Sequence, residues 1–99
     1  MSYYLTQDAE QDIEDIYIYS LQAFDEAQAE KYYHALEDHF SRLSDNPQMG
    51  RDFSFVKAHI RRSNCGSHAV YYRVMNKQDV LILRVLHQRM DPARHLSPD

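Results

Sequence analysis

The sequence predicts an α+β fold: a short N-terminal strand, an αα-hairpin, then a three-stranded antiparallel meander, all strands in one sheet packed on the helices. Three observations carry this expectation. Apolar residues recur at spacings of three and four through the first half of the chain. They change to strict alternation after Gly50. Between the two patterns lies Asn46-Pro47, where proline lacks a backbone donor and its predecessor avoids the helical region. A chain of 99 residues with 43% hydrophobic content suits a single domain spanning 1–99 around one small core.

Taken in order, Ser2 to Leu5 reads as the first strand, and Thr6 as the N-cap of a helix with Asp8 and Glu10 in its first turn. Ala9, Ile13, Ile16, Tyr17, Ser20 and Phe24 form the apolar stripe of that helix. Phe24-Asp25-Glu26 interrupts it, and Asp25 is placed to cap a second helix with the stripe Ala29, Tyr33, Leu36, Phe40 and Leu43. The two helices make the αα-hairpin.

Beyond Gly50, Val56, Ala58 and Ile60 alternate with Lys57, His59 and Arg61, the expected first strand of the meander. Asn64-Cys65-Gly66-Ser67 reads as a turn, Val70 to Val74 as the next strand, and Asn76-Lys77-Gln78-Asp79 as a second turn. Val80 to His87 is apolar on both faces for most of its length, as a central strand is. Strict alternation puts Arg84 on one face with Val80, Ile82 and Leu86, and His87 on the other with Leu83 and Val85. Pro92 and Pro98 rule out a long regular ending.

Composition excludes several function classes. The longest aliphatic run, Val80 to Leu83, is far short of the ~20 residues that span a bilayer, so no membrane partner is expected. A lone cysteine, Cys65, makes neither an internal disulfide nor a thiolate zinc cluster, which points to a reducing cytoplasm. Two isolated glycines build no phosphate loop, and the six histidines lack the helical spacing of a zinc enzyme. Neither a metal nor a cofactor is expected.

Charge is divided along the chain. Residues 1 to 50 carry eleven acids and two bases, a net of −9, and residues 51 to 99 carry four acids and nine bases, a net of +5. The basic half is the candidate for meeting an acidic protein or a phosphate backbone. Arg61, Arg62, Arg73, Arg84, His87, Arg89, Arg94 and His95 form its constellation of bases and histidines on and after the strands. Arg61 and Arg62 must point to opposite faces, so one of them at most joins a site on the face away from the helices. Arg84, inside an apolar strand, requires a carboxylate or carbonyl partner.

The residues resemble the ParE branch of the ParE/RelE superfamily of bacterial toxin–antitoxin toxins. The resemblance runs through Leu5-Thr6, Ala9, Asp12-Ile13 and Ile16-Tyr17, then Ala29 to Tyr33 with Leu36, and Asn46 to Arg51. Its most specific element is Ile82 to Asp91, which ends Leu-His-Gln-Arg-Met-Asp and is followed by His95-Leu96. It implies a non-enzymatic poison of DNA gyrase, neutralised by a ParD-like antitoxin in a hetero-oligomer, with no sequence-specific DNA binding by the toxin alone.

On that resemblance the candidate target contacts are Arg62, Arg84, His87, Arg89, Met90, Asp91, His95 and Leu96. Ile18, Leu21, Tyr32 and Tyr33 flank the helical stripes and are the candidate antitoxin contacts. Charge complementarity predicts that a basic partner segment lies across the acidic hairpin and an acidic one against the basic strands. The alternative is a RelE-like ribosome-dependent mRNA endoribonuclease. There Arg62 and Arg89 would hold phosphate and His87 or a strand tyrosine would move the proton.

Overall fold

The Thr6 hydroxyl accepts the Ala9 N–H at 3.0 Å, and its own proton goes to the Leu83 carbonyl at 2.8 Å. One residue thus starts the first helix and ties it to the last strand. In this computed structural model, which describes residues 2–76 and 79–96, the elements follow in the order β1 (Ser2–Leu5), α1 (Gln7–Ala23), α2 (Glu26–Asp45), β2 (Arg51–Asp52), β3 (Ile60–Cys65), β4 (His68–Val74), β5 (Asp79–His87) and α3 (Pro92–His95). Asp25 caps α2 by accepting the Gln28 N–H at 2.8 Å. Asp45 is the last residue of α2, just before Asn46-Pro47.

The five strands form one mixed sheet in the order β1-β5-β4-β3-β2. β3, β4 and β5 make the antiparallel meander, and β1 runs parallel to β5 with Tyr3 opposite Val80. The hairpin covers one face. There Ala9, Ile13, Leu36, Phe40 and Leu43 pack on Val70, Tyr72, Val80, Ile82 and Val85. Tyr3 closes that layer, its ring 5.4 Å from Phe40. The Tyr72 hydroxyl reaches past the core to donate to the Pro47 carbonyl at 2.7 Å and accept the Gly50 N–H at 2.8 Å, which fixes the exit from α2.

The structure corrects the sequence reading at four places. Val56 and Ala58 are not in a strand. Residues 53–59 form a looped excursion closed by the Phe53 N–H to Ile60 carbonyl bond at 3.0 Å, with His59 at φ +63°, and β3 starts only at Ile60. The first turn is shorter than expected: Asn64 and Cys65 are already paired with Ala69 and His68, leaving Gly66-Ser67 as a two-residue connection with Gly66 at φ +58°.

The third correction concerns facing. Tyr71 is opposite Arg84 but Tyr72 is opposite Ile82, so Leu83 is the extra residue of a β-bulge and the alternation of β5 changes phase there. Arg84 therefore shares a face with Leu86 but not with Val80 or Ile82, and His87 shares one with Val85 but not with Leu83. Fourth, a two-residue strand, β2, pairs with β3 and adds a fifth strand to the expected four, while the ending holds no more than the short helix α3, with Asp91 as its cap and Pro92 in its first turn. Lys77, Gln78 and Pro98, named above in turns and ending, lie outside the described residues.

The sheet face away from the hairpin is covered as well. Phe53, Ile60, Ala69, Tyr71, Leu86 and Leu96 form a second apolar cluster, with Val56 and Leu83 at its margin. Among the described residues, no helix is long and apolar enough to cross a membrane.

Candidate functional site

Asp12, at the middle of α1, organises the carboxyl end of β5. Its carboxylate accepts from Arg84 Nε at 2.8 Å, from Arg84 Nη2 at 2.9 Å and from the backbone N–H of Val85 at 2.9 Å. The remaining Arg84 edge donates through Nη1 to the His95 carbonyl at 2.7 Å. The partner that an arginine in this strand requires is thus a carboxylate from the helix. Arg84 in turn holds the chain after β5 in place.

That chain, residues 88 to 96, curls back over the sheet. Met90 N–H bonds the His87 carbonyl at 2.9 Å, Arg89 N–H donates to His87 Nδ1 at 3.1 Å, and Leu96 closes the second cluster. His87, Arg89, Met90 and Asp91 are exposed along this turn. Of the eight candidate target contacts, these four are contiguous at the surface. Arg84 and the backbone of His95 are engaged inside, Leu96 is buried, and Arg62 stands two strands away.

His87 faces the hairpin side, directly opposite His68, and the two rings meet edge to face at 5.7 Å. His68 Nδ1 is 2.6 Å from the Tyr32 hydroxyl, which also accepts the Ser67 N–H at 3.1 Å and lies 3.2 Å from the Cys65 carbonyl. Burial, reinforced by His87, lowers the His68 pKa. Burial also raises the Tyr32 hydroxyl and the Cys65 thiol above their ordinary values, so neither ionises readily. Around this cluster lies a cavity of about 600 Å³ lined by Ile16, Tyr19, Phe24, Tyr32, His68, His87 and Met90, among others. Among the described residues, no three His, Cys, Asp or Glu side chains converge as metal ligands would.

A second groove, about 690 Å³, runs between the hairpin and β1. Tyr3, Leu5, Ile13, Tyr17, Tyr33 and Phe40 give it an apolar floor, and Glu10, Glu14, Glu30 and Glu37 also line it. The candidate antitoxin contacts do not fall together. Tyr33 lines this groove, Tyr32 is tied to the β3–β4 turn beside the other cavity, and Ile18 and Leu21 stand exposed on α1 outside both. Sequence reasoning did not name Tyr19 and placed Phe24 only in the apolar stripe of α1, yet the two are 65% and 66% exposed beside Met90. Phe24 is the C-cap of α1, at the end of that stripe.

The three residues named for ribonuclease chemistry are divided by the sheet. Arg62, opposite Tyr71, lies on the outer face with its guanidinium 5.6 Å from that ring, whereas His87 is on the hairpin face. Tyr71 itself is fully buried, and its hydroxyl has no hydrogen-bond partner among the described residues. Burial raises its pKa.

A β-α-α hairpin on a mixed sheet, with a basic strand ending latched to the first helix, places the molecule in the ParE/RelE superfamily of toxins. The chain belongs to the ParE family: residues 3–92 match the family described as ParE toxin of type II toxin–antitoxin system, parDE. Toxin ParE1 of Caulobacter vibrioides is 38% identical over 95 residues, covering 96% of this chain and 97% of that one. Toxin ParE1 of Mycobacterium tuberculosis is 34% identical over 94 residues, covering 95% and 96%. Among solved structures, a chain of the chromosomal ParDE toxin–antitoxin system from P. aeruginosa superposes with a TM-score of 0.75 at 19% identity, covering 88% of this chain and 95% of that one. The RelBE2 toxin–antitoxin complex of Mycobacterium tuberculosis gives 0.62 at 24% identity, covering 88% and 96%, and so shares the fold.

Proposed function

We propose that this toxin arrests growth in the cytoplasm by binding DNA gyrase and holding its cleaved-DNA state, making and breaking no bond itself, and that a ParD-like antitoxin neutralises it in a hetero-oligomer. The observation that carries this reading is the ParE family match across residues 3–92, which takes in β5 and the exposed turn from His87 to Asp91. In this reading His87, Arg89, Met90 and Asp91 touch the target, while Arg84 and Leu96 position that turn by an ion pair and by packing. The separation of Arg62 from His87 across the sheet argues against the ribonuclease alternative, because acid, base and phosphate stabiliser must all reach one phosphodiester.

For the antitoxin, the groove beside β1 fits an amphipathic helix whose apolar face covers Tyr17, Tyr33 and Phe40 and whose flanking lysines or arginines meet Glu10, Glu14, Glu30 and Glu37. The test mixes purified toxin with gyrase, ATP and supercoiled plasmid, and runs a ribosome-dependent mRNA cleavage assay in parallel. Protein-linked linear DNA with intact message is the expected result. Cut message with intact DNA would replace the gyrase reading with the ribonuclease one.

A further inference from the structure

The edge of the sheet formed by β2 and β3 carries a group of side chains that neither the hairpin grooves nor the β5 ending uses. Arg51 and Arg62 are direct cross-strand partners. Two like charges at this spacing repel and destabilise a sheet unless something anionic lies between them. Neither arginine makes an ion pair among the described residues, and Arg62 donates only to the Asn64 side chain, at 3.2 Å. Asp52, the nearest acid in sequence, is turned to the other face by strand alternation, and its carboxylate accepts from Ser54.

Both guanidiniums are nevertheless held in place. Each carbon Cζ lies 5.4 Å from the ring centroid of the buried Phe53, and that of Arg62 lies also 5.6 Å from Tyr71. Planar cations fixed on an aromatic floor present their N–H edges outward with little freedom left to lose. An anion with two charged oxygens, such as the non-bridging pair of a phosphodiester, can bridge both forks.

Next to the pair stands an aromatic ring in water. Phe55 is 80% exposed at the tip of the 53–59 loop, with its ring centroid 4.5 Å from Phe53. The loop is braced by the Phe53–Ile60 bond, by Val56 N–H to the Phe53 carbonyl at 3.0 Å and by Ile60 N–H to the Lys57 carbonyl at 3.2 Å. Thus the ring is held out rather than loosely tethered. Two unpaired arginines beside an exposed aromatic ring are what a strand with unstacked bases requires: cations for the backbone and a π-face for a base. Carboxylates alone have no use for the ring.

We infer that Arg51 and Arg62 hold a backbone phosphate of a single-stranded or locally opened nucleic acid while Phe55 stacks on one of its bases. The contact reads no sequence, and it stands whether or not gyrase is the target. The experiment measures fluorescence anisotropy of a short labelled oligothymidylate at low ionic strength with the full chain and with Arg51→Ala, Phe55→Ala and Phe55→Leu. Oligouridylate, a duplex of equal length and polyglutamate serve as the comparison ligands.

Single strands should bind more tightly than duplex or polyglutamate, and each variant should weaken that binding by about tenfold. The salt slope of Arg51→Ala should fall by about 0.7. The DNA and RNA arms show which sugar is preferred, and tighter binding of either supports the inference. Binding by Phe55→Leu equal to that of the unaltered chain would overturn the stacking role, since leucine keeps the apolar bulk and removes the π-face. Polyglutamate binding as well as oligothymidylate would make the surface a dock for an acidic protein. Thermal unfolding of each variant checks the fold, because Arg51 and Phe55 are exposed and meet the core through Phe53.

Discussion

Asp12 and Arg84, 72 residues apart in sequence, meet in a two-pronged ion pair in which each carboxylate oxygen accepts one guanidinium N–H, at 2.8 and 2.9 Å. The same carboxylate takes the Val85 N–H, so one side chain binds both the backbone and the side chain of the bulged strand. This connection decides where the exposed turn after β5 sits.

Asp12→Ala should therefore destabilise the fold. With side chains 22% and 12% exposed, the pair lies between a surface and a buried one, and a loss of about 2 kcal/mol is expected in urea unfolding. Arg84→Met, which removes the charge but keeps the stem, should cost less than Asp12→Ala, because the carboxylate it leaves still accepts the Val85 N–H, whereas Asp12→Ala strips both the guanidinium and that N–H of their partner. Equal costs would mean that the guanidinium finds water when Asp12 is gone.

Gly66→Ala should be harmful beyond its turn geometry. Gly66 has φ +58°, and a Cβ there would lie 2.7 Å from the Tyr32 ring. We expect a loss of about 2 kcal/mol, read as a drop in Tm of several degrees. Tyr32→Phe, which keeps the ring and loses the hydroxyl, should not rescue it.

Stability should fall as the solution is acidified below about pH 6.5. Burial lowers the pKa values of both His39 and His68 from the ordinary histidine value of 6.5. A histidine whose folded pKa is depressed binds its proton first in the unfolded chain, so stability declines from about pH 6.5 downward to the folded pKa and is unaffected above. His39 has the Ser63 hydroxyl 2.8 Å from Nε2, so His39→Gln retains a polar partner and should flatten part of that decline. An unchanged slope in denaturation curves at pH 5 to 7 would remove His39 from the account.

Substituting Arg89 and Met90 together by alanine should abolish growth arrest with no change in Tm beyond a degree or so, since both side chains are exposed. Toxicity that persists at equal expression would move the target contact off this turn.

Tyr33→Ala and Tyr32→Ala should separate antitoxin binding from folding. Tyr33, lining the acid-rimmed groove and 37% exposed, should weaken antitoxin affinity with little loss of stability. Tyr32 is tied to Cys65, Ser67 and His68, so its removal should register mainly in thermal unfolding. Calorimetric titration with the antitoxin and a melting curve for each variant suffice.

Local signals in the sequence were reliable wherever the chain itself decides its conformation. Thr6 and Asp25 cap as their chemistry requires, and α2 stops before Pro47. The failures occur where tertiary contacts decide. Alternation through Val56 to Ile60 mimics a strand, but only Ile60 pairs, while Val56 packs at the margin of the cluster that holds Phe53 and Tyr71. The bulge at Leu83 leaves no mark in an unbroken aliphatic run, yet it reverses the facing of Arg84 and His87. The carboxylate that Arg84 requires was legible as a need, while its identity as Asp12 depends on how α1 lies across β5. Arg51 and Phe55 escaped notice because Arg51 lies in a two-residue strand, β2, too short to show a period, and Phe55 in the irregular loop that follows it.

The parallel pairing of β1 with β5 also sets the timing of assembly. Ser2 to Leu5 find their partners at Asp79 to Ile82, so during synthesis the first strand emerges from the ribosome long before the strand that accommodates it. The helical hairpin can form early, but it has no finished sheet to rest on, because β5 contributes Val80, Ile82 and Val85 to the layer beneath it. Contacts of such long sequence separation are made late and slowly. Translation of this toxin thus passes through an interval in which both helices exist and the sheet that they cover does not.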